Sequence, residues 1–78
     1  GCTMKKVIEI LETRKSSIEE LLGHNYDLLC DIEQKFAMAA DSCWLRNRVE
    51  EMRTEIDSCE KMIRELEDAI ALLIRFSE

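Results

Sequence analysis

Four cysteines, Cys2, Cys30, Cys43 and Cys59, and the single histidine, His24, are the side chains here that could ligate a metal or act as nucleophiles. Zinc sites gather such ligands in close pairs of the C-x-x-C kind, with histidines at matching separations. These cysteines are instead 28, 13 and 16 residues apart, and His24 lies six residues before Cys30. No metal site is expected, and no disulfide framework suits a regular helical chain. The thiols read as small apolar residues kept reduced, which places the chain inside the cell, in the cytoplasm ahead of the nucleus. His24 reads as a surface residue.

The remaining chemical candidates are the carboxylate pairs Glu19–Glu20 and Glu50–Glu51. Neighbouring residues on a helix diverge by about 100°, so neither pair forms a shared acid–base site. No Ser/His/Asp set, glycine-rich phosphate loop or H-E-x-x-H stretch occurs. The expectation is a non-enzyme with no catalytic residue, no cofactor, no bound metal and no small-molecule substrate.

Charge narrows the partners. Residues 1–41 carry five basic and eight acidic side chains, and residues 42–78 carry six and nine. Both halves are therefore mildly acidic with mixed signs, which disfavours nucleic acid and a polybasic membrane anchor. The longest apolar run, "AIALLIRF", is broken by Arg75 and falls short of the roughly 18 residues of a spanning helix. Membrane insertion is not expected. Gly1 in place of an initiator methionine and the abrupt end at "IRFSE" read as a fragment of a longer protein. Residues 1–78 form one module, with no shift of composition to mark a second.

What remains is helix. The chain has no proline and two glycines, 36% charged residues and 46% hydrophobic ones, a mixture typical of long helices and coiled coils. In the second half Leu45, Val49, Met52, Ile56, Cys59, Ile63, Leu66, Ile70 and Leu73 follow one another at spacings of four and three. Such a ladder lines one seam of a helix and suits knobs-into-holes packing. Outside it, Arg53–Asp57–Lys61–Glu65 and Glu60–Arg64–Asp68 are set for i,i+4 pairing, and Glu67 falls on the outer face. In the first half Met4, Ile8, Leu11, Ile18, Leu22, Leu29, Ile32, Phe36, Ala39 and Cys43 keep the same spacing, with Lys15 and Asn25 on two ladder positions. Val7, Leu21 and Leu28 lie beside this ladder. The wider stripe suits a helix with more than one neighbour.

The two ladders conflict in phase. The first, continued past Cys43, calls for apolar residues at 46 and 50, where Arg46 and Glu50 stand. The second begins one residue early, at Leu45. Absorbing that loss in one helix would overwind it; a turn removes the conflict. Asp41 and Ser42 can cap a new helix. The expected fold is all-α: an antiparallel hairpin of two long helices, about 4–40 and 42–77, associating into a coiled-coil or four-helix-type bundle. The alternative is one long continuous coiled-coil helix. Gly23 reads as a local kink or weak point inside one helix, because the stripe passes it without losing phase, with a break there as the alternative. Ser16 or Ser17 could open a capping box with Glu19 or Glu20, against which the same phase argument speaks.

The interface residues expected from this pattern are Ile8, Leu11, Ile18, Leu22, Leu29, Ile32, Phe36, Leu45, Val49, Met52, Ile56, Cys59, Ile63, Leu66, Ile70 and Leu73 together with Trp44, which reads either as a binding anchor or as a cap on the hairpin end against Phe36 or Ala40. Asn25 is a candidate polar layer that sets register at some cost in stability. Tyr26 and Phe76 sit at the stripe edges. The function expected is a protein–protein module that self-associates as a dimer of hairpins to scaffold or oligomerise a larger protein. The alternative is a helical segment of a hetero-oligomeric intracellular complex of cytoskeletal, trafficking or kinetochore type.

Overall fold

A computed structural model of the chain describes residues 2–38 and 43–77, leaving aside the side chains of residues 2 and 36–38. With no proline and no obligatory turn residue to stop it, the first half is a single helix, α1, from Cys2 to Met38. The second half is one helix, α2, from Cys43 to Ser77. At about 1.5 Å per residue each is somewhat over 50 Å long, and the whole measures 58 × 14 × 13 Å. The helices therefore lie side by side; laid end to end they would span about 110 Å. The ion pairs fix the direction. Lys15 reaches Glu67 at 3.9 Å and Arg53 reaches Glu33 at 3.6 Å, so residues ascending α1 meet residues descending α2. The chain is an antiparallel all-α hairpin and not a continuous helix. The expected turn at 39–42, with its caps Asp41 and Ser42, lies outside the described residues.

α1 is continuous at both other positions considered, as the unbroken phase of its stripe requires. Ser17 does not cap a helix: its hydroxyl donates to the Thr13 carbonyl at 3.2 Å, one turn back along α1. α1 also runs through Gly23, which has no positive φ. A Cβ placed on Gly23 would meet nothing within 4 Å. Glycine then serves no packing purpose here and weakens the helix by about 1 kcal/mol relative to alanine. Gly23→Ala is expected to raise the melting temperature by roughly 4–8 °C, as followed by circular dichroism. A lowered melting temperature would mean that another backbone must approach α1 at this point.

The two ladders meet each other. On α2 the buried residues are Leu45, Met52, Ile56, Cys59, Ile63 and Ile70, with Val49, Leu66 and Leu73 half-buried between them. On α1 Ile18 is buried, and Met4, Ile8, Leu11, Leu22, Leu29 and Ile32 are half-buried. The tightest cluster joins Ile18 to Cys59 and Ile63, with Leu22 and Leu66 packed against it. In a chain of two helices only the opposite helix can cover a side chain beyond its own turns, so these residues are the seam of the hairpin itself.

The charge pattern behaves differently from expectation. Among the described residues the pairs within a helix are Lys35 with Asp31 and Arg48 with Glu51, each at 3.2 Å. The i,i+4 series from Arg53 to Glu65 and from Glu60 to Asp68 does not close, and Arg53 crosses to Glu33 instead. Exposed pairs are worth only about 0–1 kcal/mol, so a small gain in reach decides which partner a long side chain takes.

Candidate protein-interaction surface

The hairpin places most of the expected interface residues in its own seam. Phe36 falls outside the described side chains. Trp44 is 70% exposed; the expected cap against Phe36 or Ala40 lies outside the described residues. His24 is exposed. Among the described cysteine side chains Cys59 is a buried seam residue and acts as an apolar filler, whereas Cys30 and Cys43 are free and exposed.

Two polar residues enter the seam. Lys15 is half-covered along its stem and turns its ammonium to Glu67. Glu67, read from sequence as an outer-face residue, thus borders the seam. Asn25 is 5% exposed, and no fully enclosed side-chain nitrogen or oxygen among the described residues lacks a hydrogen-bond partner. Its amide is therefore not stranded, but it occupies a place where an apolar side chain would bind the facing helix more strongly. Asn25→Leu is expected to stabilise the hairpin by about 1 kcal/mol. It is also expected to broaden the species distribution, because a lone polar layer penalises other registers. Melting curves and sedimentation of the variant check both parts; a destabilised variant would show that the amide makes an indispensable bond.

The flanks of the seam form two unlike sides. One gathers the residues just after the ladder positions: Glu12, Glu19, Tyr26 and Glu33 from α1, with Arg53, Glu60, Glu67 and the exposed Ile74 from α2. Ion pairs bridge the helices along it. Partial desolvation first, and then the charges of Glu60 and Asp57, push the Tyr26 phenol above its usual range. A shallow groove runs along this side past Gly23, lined by Leu22, Tyr26, Glu60 and Ile63. The other side gathers residues just before the ladder positions and carries exposed apolar residues among charges such as Arg14, Glu55 and Glu65. Val7, Ile10 and Leu21 of α1 and Met62, Leu72 and Phe76 of α2 are all exposed, from 38% at Met62 to 71% at Phe76. Sequence inspection picks out Val7 and Leu21 as widening the α1 stripe. It does not pick out Ile10, Met62 or Leu72, because the parallel run of three- and four-residue spacings on which they fall is interrupted by Arg14, Ser17 and Glu65.

Among the described residues no three of His, Cys, Asp and Glu converge as metal ligands would, and no helix is long and apolar enough to cross a membrane. No family model, curated protein or solved structure matches the chain. The class that the fold defines is an all-α helical hairpin.

Proposed function

We propose that this chain is a non-enzymatic protein–protein interaction module, a helical hairpin that self-associates to scaffold or oligomerise a larger intracellular protein. One quantity carries the reading. The chain exposes 6057 Å² at a mass of 9.1 kDa, whereas a compact monomer of that mass exposes about 4,900 Å². The excess is what two helices leave uncovered, since each seam residue has one facing neighbour where a bundle supplies two or three. Small scaffolds of this size commonly gain the missing burial by oligomerising. The spread of cysteines without a disulfide framework supports an intracellular, cytoplasmic setting.

Sedimentation equilibrium of the purified chain tests the proposal. A discrete dimer or higher closed oligomer is expected at micromolar concentration. A well-folded monomer that persists to high concentration would refute it. A poorly folded or polydisperse chain would favour the segment of a hetero-oligomeric complex instead.

A further inference from the structure

We propose that a second copy of the chain covers the side of the hairpin carrying Val7, Ile10, Leu21, Met62, Leu72 and Phe76, closing a four-helix bundle through an interface separate from the hairpin seam. This rests on the self-association reading and adds to it which surface is used.

Helix geometry puts these residues together. At about 100° per residue, Val7 and Leu21 lie about 70° to one side of the local α1 ladder, and Met62 and Phe76 lie about 70° to the same rotational side of the α2 ladder. Ile10 and Leu72 lie further round. Because the helices are antiparallel and face one another, equal rotations bring both sets to one side of the hairpin. The ion pair Arg53–Glu33 confirms the geometry from the other direction: both residues follow a ladder position, and they meet across the opposite side. Levels along the rod agree too. With Lys15 level with Glu67, Leu21 falls level with the stretch around Met62, and Val7 with that around Phe76.

The area suits a second copy. From their fractional exposures, the six residues present on the order of 600 Å² of mostly apolar surface in two groups along the rod, Val7, Ile10, Leu72 and Phe76 at one level and Leu21 with Met62 at another, a total comparable to the largest apolar patch on a typical monomer, about 300–600 Å². A stable dimer covers about 800 Å² per partner, so this patch and a narrow polar margin supply the whole interface. The row is interrupted by a self-complementary pair of charges. Arg14 on α1, midway between Val7 and Leu21, and Glu65 on α2, between Met62 and Leu72, are exposed and are in none of the ion pairs among the described residues. A two-fold operation that lays α1 of one copy over α2 of the other brings each Arg14 towards a Glu65, as an isologous contact requires.

The test uses the unmodified chain first. Hydroxyl-radical labelling is compared above and below the concentration at which sedimentation shows association. Labelling of Leu21, Met62, Leu72 and Phe76 is expected to fall severalfold on association, while Tyr26, on the opposite side, is unchanged. Protection of Tyr26 with none at Met62 and Phe76 would overturn the assignment of the face while leaving self-association standing. A chain that stays monomeric would overturn both. The double variant Leu21→Glu/Met62→Glu is expected to weaken dimerisation by about a hundred-fold or more, since each dimer would enclose four unpaired carboxylates. Ser16→Glu, on the charged side, is expected to leave the association constant within about two-fold. Equal association of the double variant and the parent would overturn the assignment, and labelling of the parent decides the matter if the double variant does not fold.

Discussion

Ile63→Asp is expected to abolish the cooperative melting transition of this chain. Ile63 is buried in the tightest cluster of the seam, against Ile18 and Cys59 with Leu22 and Leu66 beside it. Losing the isoleucine forfeits about 2–5 kcal/mol of burial and cavity energy. The carboxylate adds several kcal/mol more, because it must be desolvated, protonated or dragged to water by opening the seam. A domain of this length is stable by about 0.05–0.15 kcal/mol per residue, so the loss equals or exceeds the whole. Circular dichroism should show diminished helicity at 25 °C and no sigmoidal transition. Lys61→Ala, two positions away on α2 and exposed, supplies the control and should stay within about 0.5 kcal/mol of the parent. Glu67→Ala removes the partner of Lys15 and should cost no more than about 1 kcal/mol. If Ile63→Asp and Lys61→Ala melt alike, the seam does not run through Ile63.

Met52→Ala should be the most costly truncation to alanine. Met52 is 1% exposed, the most enclosed large side chain among the described residues. Truncation of such a residue costs about 2–5 kcal/mol, the upper part applying where neighbours cannot collapse into the space. Helices of more than thirty residues held by a continuous seam cannot close together at one point without bending, which argues for the upper half of that range. The denaturation midpoint should fall accordingly, with the slope of stability against urea unchanged because the unfolded surface hardly differs. Met62→Ala offers the comparison. The same side chain, 38% exposed on the flank, should cost less than half as much. A drop below about 1 kcal/mol for Met52→Ala would indicate that the seam is locally loose near the turn end.

The ladder was legible because period is a local property. Spacings of four and three mark one stripe of a helix whatever lies opposite, and every α2 member from Leu45 to Leu73 is buried or half-buried. The polar ladder members were legible for the same reason: Lys15 and Asn25 are drawn into the seam by their phase despite their chemistry. Trp44, read either as a binding anchor or as a cap, falls outside the seam by its phase and is 70% exposed. The charge pairing was misjudged because Arg53 has an acidic neighbour on its own helix and another, Glu33, that only the facing helix brings near.

From sequence alone came two long helices, the phase of each apolar stripe and the need for a reversal between them, since helix propensity, apolar period and the mismatch between Cys43 and Leu45 are all written along one strand of chain. The tertiary structure decided what the stripes face. Antiparallel packing spends both ladders on each other and brings Leu21 beside Met62 and Val7 beside Phe76 on one side, while the cross-helix ion pairs line the other. Which residues of two distant segments share a side depends on their relative direction and level, and those are set by docking one helix on the other, not by the order of residues in either.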